Sequence, residues 1–310
     1  MSFGVVFPGQ GSQRVGMLEE AAGAFSVVSD TFTEASEALG YDLWQLVSHG
    51  PAEKLGLTEY TQPAILTASV SLFRAFTEAN SSQPIAGAGH SLGEYSALVS
   101  AGTLSLADGV RLVRQRGAAM QNAVPVGAGA MAVVMGLDDD VVTDTCNSVS
   151  STDSFVGGVN FNAPGQVVIA GHSAAVELAV AALKDAGARR AMPLPVSAPF
   201  HTPLMQPAAD VMQEAFEDVS WSKPLFPVIS NVDGSLQTNA DSIRDSLVKQ
   251  ISVPVLWTAC MASLIEAGCT HFVECGPGNV LSGLSKRIDK SVPIKSIDTV
   301  EAIEAGVTYL

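Results

Sequence analysis

The sequence predicts an α/β protein in which a large α/β-hydrolase-like domain with a mostly parallel sheet is interrupted by a small subdomain of order βαββαβ. Three observations carry this prediction: an apolar but aromatic-poor composition, a Gly-x-Ser-x-Gly pentapeptide at a strand-to-helix junction, and a change of rhythm between about residues 130 and 197. At 310 residues, 47% hydrophobic and 15% charged, the chain can bury a large core and a smaller one, so disorder is not expected. Aromatic residues make up only 6%, and the abundance of Ala, Val, Leu and Gly suits layered packing of helices on a sheet.

Read in order, Phe3 to Phe7 is a short apolar run stopped by Pro8-Gly9-Gln10-Gly11, the pattern of a buried strand ending in a tight loop. Helical periodicity covers Gln62 to Ala79, a small-residue strand runs from Pro84 to Gly89, and a helix resumes from Glu94 to Ala101 before Gly102. The next stretch reads as strand (Met131 to Met135), helix (Asp139 to Ser148), strand (Phe155 to Asn160), strand (Gln166 to Ala170), helix (Ser173 to Ala186) and strand (Arg190 to Val196). That order is the ferredoxin-like pattern, too small to house a large site but suited to forming one wall of a cleft. Phe226 to Asn231 and His271 to Glu274 return as strands of the main sheet, separated by helices over Ala240 to Gln250 and Trp257 to Ala267. The expected domains are therefore residues 1–128 with 198–310, and residues 129–197 inserted between them.

The formal charge of −15, from 31 acidic and 16 basic residues, argues against nucleic acid or an anionic membrane as a partner. An acidic protein partner is still compatible with it, because local Lys or Arg clusters dominate within a Debye length of roughly 8 Å. Met1 to Pro8 has neither the basic region nor the long apolar stretch of a signal peptide, so export is not expected. Ala123 to Leu137, the longest weakly polar run, contains Pro125 and falls short of the ~20 residues that span a bilayer. Cys146, Cys260, Cys269 and Cys275 form no Cys-x-x-Cys pair and fit reduced thiols in a cytoplasmic protein. His49, His90, His172, His201 and His271 lack metal-site spacing, and no metal is expected.

With 28 glycines in the chain, chance supplies roughly 0.2 Gly-x-Ser-x-Gly matches, so Gly89-His90-Ser91-Leu92-Gly93 gains its meaning from context. A small-residue strand ends at Gly89 and a helix begins just beyond Ser91, as a nucleophile on a sharp turn requires. The hydroxyl needs a base. His90 is adjacent across the turn and diverges from Ser91, whereas His201 lies between Pro199 and Pro203 in a loop that can return its imidazole to a cleft; a solvated surface histidine is the competing reading. On the helix from Leu106 to Gln121, the residues Leu106, Val110, Val113, Gly117 and Met120 form an apolar stripe. Arg116 lies roughly 70° from the centre of that stripe and Arg111 roughly 150° from it. An arginine that close to a buried face needs an anion, either an internal Asp or Glu or a substrate carboxylate.

Taken together, Phe7-Pro8-Gly9-Gln10-Gly11-Ser12-Gln13, Thr61-Gln62-Pro63-Ala64, Gly89 to Tyr95, Gln115-Arg116-Gly117, Phe200-His201 and Gly276-Pro277-Gly278 resemble the malonyl-CoA:acyl carrier protein transacylases, in order and over essentially the whole chain. The resemblance implies ping-pong transfer of a malonyl group through a Ser91 ester, with His201 as base and then acid and no carboxylate third member. It also implies a backbone carbonyl near Gln250 that orients the imidazole, backbone N–H groups of Gln10 and Leu92 for the oxyanion, and Arg116 for the malonyl carboxylate. No cofactor is implied beyond the substrates, malonyl-CoA and a phosphopantetheinylated acyl carrier protein. A free-standing, monomeric enzyme supplying fatty acid or polyketide synthesis follows from the same likeness. Phe200 resembles the Phe-His pair of malonyl-selective polyketide domains, and its ring is expected to crowd a methylmalonyl branch.

For an acidic carrier, Arg189, Arg190, Lys286 and Arg287 are the candidate contacts, against a reading of each as a solvated charge. Two rival functions are a serine esterase or patatin-like lipase, the latter with Asp233 of Asp233-Gly234 as its second member, and a scaffold that has lost activity. Asp233 reads better as a hairpin residue. The presence of Ser91, His201 and Arg116 disfavours the scaffold.

Overall fold

A computed structural model describes residues 2–196 and 198–306; residue 197, where the sequence reading ends the inserted segment, lies outside the described residues. The chain starts with β1 (Phe3–Phe7), then the helices α1 (Glu19–Ala24), α2 (Ser26–Leu39), α3 (Leu43–His49), α4 (Ala52–Leu55) and α5 (Thr58–Asn80). Next come β2 (Ala86–Gly89), α6 (Leu92–Ser100) and α7 (Leu106–Asn122). A second group follows: β3 (Gly129–Met135), α8 (Asp139–Val149), β4 (Val156–Ala163), β5 (Gln166–His172), α9 (Ser173–Asp185) and β6 (Arg190–Pro193). The chain then returns through α10 (Gln206–Ala215), β7 (Val228–Ile229), β8 (Leu236–Gln237), α11 (Ala240–Gln250), α12 (Trp257–Glu266), β9 (His271–Glu274), α13 (Val280–Ile288), β10 (Ile294–Ser296) and α14 (Val300–Ala305).

The main sheet has the order β10-β9-β1-β2-β7-β8 and is parallel except for the terminal β7–β8 hairpin. Every residue of β1 and β2 is buried, which accounts for continuous apolar or small-residue runs where a half-exposed strand would alternate. Helices cover both faces: α5, α6 and α7 join one core with Phe7, Phe73 and Phe76, while Trp257, Met261 and Leu264 of α12 pack with Val6, Ala88 and Phe272 in another.

The second sheet has the order β4-β5-β3-β6 and is antiparallel throughout, so its strands stand in the ferredoxin-like arrangement. Its core, built on Ala132, Val134, Val142, Ile169, Val176 and Leu183, is separate from those of the main sheet. Contact between the two parts includes a bridge from Asn160 of β4 to Val255, just before α12.

Element ends differ from the sequence reading in a few places. The strand expected over Phe226 to Asn231 contracts to two residues, and Arg190 to Val196 ends at Pro193. Three residues of β10 supply a sheet edge that the sequence reading passed over. No helix is long and apolar enough to cross a membrane among the described residues, and Cys146, Cys260, Cys269 and Cys275 are all buried free thiols.

Candidate active site

Between the two sheets lies a cleft of about 930 Å³, its open mouth included, with Gln10, Ser91, Leu92, Arg116 and His201 in its lining. The turn that delivers Ser91 is set by close backbone approach: a Cβ on Gly89 would sit 1.8 Å from the Gly93 carbonyl carbon, and one on Gly93 would sit 2.1 Å from Phe7 O. Ser91 itself takes φ 53° and ψ −109°, a strained conformation for a residue with a side chain, which persists only where its surroundings enforce it. Asn231, at the end of the β7 segment, supplies that enforcement: its Oδ1 accepts from Ser91 N at 2.7 Å and its Nδ2 donates to Gly89 O at 2.7 Å.

His201 follows the short Ala198-Pro199-Phe200 segment, also at positive φ, and Thr202 Oγ1 ties the loop by donating to Pro199 O at 2.6 Å. Its Nδ1 lies 2.8 Å from Gln250 O and its Nε2 2.7 Å from Ser91 Oγ. A carbonyl oxygen can only accept, so the proton belongs on Nδ1, leaving Nε2 as acceptor for the serine hydroxyl. Burial and the nearby Arg116 charge drive the imidazole pKa down to about 3, so the ring is neutral, and its Nε2 lone pair faces the Ser91 hydroxyl. His90 does not compete for Ser91: its Nε2 bonds Asn162 Oδ1 at 2.7 Å, and its ring packs against Trp257.

Arg116 is 1% exposed. Gly117 lets α7 approach α5 closely, since a Cβ there would lie 2.6 Å from Thr58 O, and this brings the guanidinium to Gln62. Nη1 donates to Gln62 Oε1 at 3.0 Å; Nη2 donates to Gln250 Oε1 at 2.8 Å and to Ser91 Oγ at 3.1 Å. Arg74 with Glu34, Arg111 with Asp108 and Arg244 with Glu217 form ion pairs; Arg116 forms none with a carboxylate among the described residues. Of the two partners the sequence left open, an internal carboxylate in contact is therefore absent among the described residues. Arg111 is exposed, as its helical angle requires.

Leu92 opens α6, so its amide belongs to the first turn, where helical N–H groups have no intrahelical acceptor; Gln10 sits in the turn after β1. Both are placed beside Ser91 in one lining, as an oxyanion site needs. Phe200 also lines the cleft, with the apolar side chains Met131, Val168, Leu194, Leu281 and Leu284.

Sequence reading missed several groups at this centre. Gln250 entered through its backbone carbonyl only, yet its side chain bridges Arg116, Ser91 O and Glu94. The sequence marks Asn231 only as the end of a strand and Gln62 only as part of a motif without a role; nothing local signals contacts across 54 to 159 residues. Asp233 is an exposed hairpin residue whose Oδ1 accepts from Ser235 N and Oγ. Arg189, Arg190, Lys286 and Arg287 are exposed. Arg190 pairs with Met135, which pairs with Gln166, whose Oε1 accepts from Arg287; three of the four basic residues thus follow one rim of the second sheet, beside α13 at the cleft.

The model of the acyl transferase domain matches residues 5–303. The malonyl CoA-acyl carrier protein transacylase of Escherichia coli K12 is 51% identical over 305 residues, covering 98% of each chain. Among solved structures, an acyl carrier protein S-malonyltransferase from Vibrio cholerae superposes with a TM-score of 0.96 at 48% identity, over 98% of this chain and 99% of that one. A malonyl-transacylase in complex with a type II PKS acyl-carrier protein superposes with a TM-score of 0.97 at 47% identity and full coverage of both chains.

Proposed function

The chain belongs to the acyl transferase domain family, and from that membership and the site geometry we propose how it moves a malonyl group from coenzyme A to the phosphopantetheine thiol of an acyl carrier protein. Convergence of Ser91, His201 and Arg116 within 3.1 Å of one hydroxyl oxygen is the observation that carries the mechanism.

In the first half-reaction Ser91 Oγ attacks the thioester carbonyl while His201 Nε2 takes its proton. The N–H groups of Gln10 and Leu92 receive the oxyanion, each worth about 3 kcal/mol in such sites. The C–S bond breaks, His201 returns the proton to the leaving thiolate, and a malonyl ester remains on Ser91. In the second, the carrier's thiol attacks that ester, His201 takes the thiol proton and passes it to Ser91 as the C–O bond breaks. Gln250 O holds Nδ1–H throughout and stabilises the imidazolium that forms at each step, the part a carboxylate plays in a triad.

Arg116 fits the malonyl carboxylate. That group lies two bonds beyond the ester carbon, and the guanidinium already reaches Ser91 Oγ. An acetyl group leaves the buried charge without an anion, which discriminates against neutral donors. The Phe200 ring narrows the same lining and disfavours a 2-methyl branch.

No bound cofactor is needed, because side chains supply nucleophile, base and charge, and a single copy holds all of them. Residues 1–128 and 198–310 form the catalytic domain and residues 129–197 the wall that closes the cleft. The basic rim at Arg189, Arg190, Lys286 and Arg287 receives the acidic carrier, and the apolar cleft beneath α13 admits its arm. Such chemistry belongs in the cytoplasm. A lipase dyad is disfavoured by the exposed hairpin position of Asp233.

Incubation with radiolabelled malonyl-CoA, followed by denaturing gel analysis, tests the reading: the wild type retains label and Ser91→Ala does not. Label retained by Ser91→Ala refutes Ser91 as the acyl carrier.

A further inference from the structure

Glu94 follows the serine turn by three residues and is buried to 2% exposure, with no ion-pair partner among the described residues. Its Oε2 accepts from Gln250 Nε2 at 2.8 Å and from Asn231 N at 3.1 Å. The opposite end of the same Gln250 amide accepts from Arg116 Nη2 at 2.8 Å. A carboxylate facing the NH₂ group fixes which way the amide points, and so presents its oxygen to the guanidinium. One buried cation and one buried carboxyl group therefore share the inner end of the cleft through a single amide, and their charges offset one another where Glu94 is ionised.

A malonyl carboxylate brings a second negative charge to that place. We propose that Glu94 is the resident counter-charge of Arg116, acting through the Gln250 amide, and takes up a solvent proton when the malonyl carboxylate arrives on the guanidinium. This rests on the transferase reading and adds to it a positioning residue that couples loading to protonation. Without the proton, two carboxylates would share one buried guanidinium; with it, the inner site stays neutral and the substrate takes over the charge of Arg116.

Burial raises the Glu94 carboxyl to about 7, against the lowering effects of Gln250, Asn231 and Arg116, so the group is poised to gain a proton near neutral pH. The other charged or titratable neighbours do not titrate in that range. On α6, burial pushes the Tyr95 phenol far up; on α12, burial does the same to the Cys260 thiol. Burial lowers the Arg116 pKa on α7, but a guanidinium starts so high that it stays cationic; Asp233 in the β7–β8 turn is held below the usual carboxylate range by its Ser235 hydrogen bonds, and His201 is pushed down to about 3.

The experiment measures protons taken up per acyl group loaded, in lightly buffered enzyme with a pH indicator, for malonyl-CoA and for acetyl-CoA. The difference between donors cancels ionisation of the released thiol. Expected uptake specific to malonyl is near zero at about pH 5.5, about half a proton at pH 7 and close to one at about pH 8.5, and the apparent loading constant falls up to about tenfold per pH unit above 7. Glu94→Gln keeps an acceptor for Gln250 and mimics the protonated acid, so its malonyl loading should show no uptake and no such slope. Equal uptake for both donors in the wild type overturns the proposal, as does uptake that persists in Glu94→Gln. The wild-type comparison of donors decides the matter even where the variant does not fold. Absence of any malonyl loading defeats the transferase reading itself, whereas loading without donor-specific uptake defeats only the role of Glu94.

Discussion

Under the proposed mechanism, replacing Arg116 by Gln separates recognition of the substrate's free carboxylate from every other contribution to catalysis. In the structure the guanidinium is 1% exposed, donates to Gln62, Gln250 and Ser91, and touches no carboxylate among the described residues. An incoming malonyl group can thus gain two charge-assisted hydrogen bonds, each worth about 1.5–3 kcal/mol, in a place where water cannot substitute for them. A loss of about 3–6 kcal/mol corresponds to a roughly 150- to 25,000-fold fall in kcat/KM for malonyl-CoA. The contacts to Gln62 and Gln250 are lost with either donor, so their effect on alignment cancels in the ratio of malonyl to acetyl transfer. Single-turnover loading of Ser91 from each donor measures that ratio, which should collapse by at least two orders of magnitude. A parallel fall for both donors would show that Arg116 merely braces the site and would refute the carboxylate assignment.

Asn231→Ala should leave Gly89 O and Ser91 N unpaired in the interior, costing about 1–3 kcal/mol for each group and lowering kcat more than it raises KM; an unchanged melting temperature speaks against Asn231 as the brace of the turn. Because burial and the Arg116 charge push the His201 imidazole down to about 3, below its ordinary 6.5, its contribution to stability is full above pH 6.5 and is lost as pH falls from there towards 3; burial lowers His90 in the same direction. Glu94 works the other way, its raised pKa giving stability at low pH that is lost as pH rises from 4.5 through 7. The urea midpoint should therefore report opposing trends, while the loading rate per folded molecule stays flat between about pH 5 and 6.5; a rate that halves near 6.5 would mean a histidine with an ordinary pKa. Reversing Arg189, Arg190, Lys286 and Arg287 to Glu should raise the KM for the carrier with little effect on loading, and an unchanged KM removes that rim as the docking surface.

What the sequence made legible was what is local. β1, β2, α6 and the βαββαβ order announce themselves through runs of small or apolar residues and through period, and α11 runs from Ala240 to Gln250 as read. β10, with three residues, has no period to read, and β7 gains its place by pairing with β2 rather than by its own two residues. At the site, Ser91 was legible because its turn demands glycines, and Arg116 because a helix puts it near a buried stripe. Glu94 was hidden for the opposite reason: an acid in the first turn of a helix is ordinary, and only the fold reveals that this one faces inward. Asn231 and the Gln250 side chain act across 140 and 134 residues, a separation that no local pattern encodes.

The position of β9 bears on how the protein is made. Its residues 271–274 slot between β1 and β10, so β1, whose other edge takes β2 early, has a bare edge until a segment far along the chain has left the ribosome. By then the serine, arginine and histidine have all been synthesised. The loop after β1 also meets the segment after β9, with Pro8 against Gly276, so the wall behind Ser91 is finished only when that late strand docks. A nascent chain stalled before it carries Ser91, Arg116 and His201 but an unfinished frame, and its open strand edge makes it prey for chaperones and neighbouring chains.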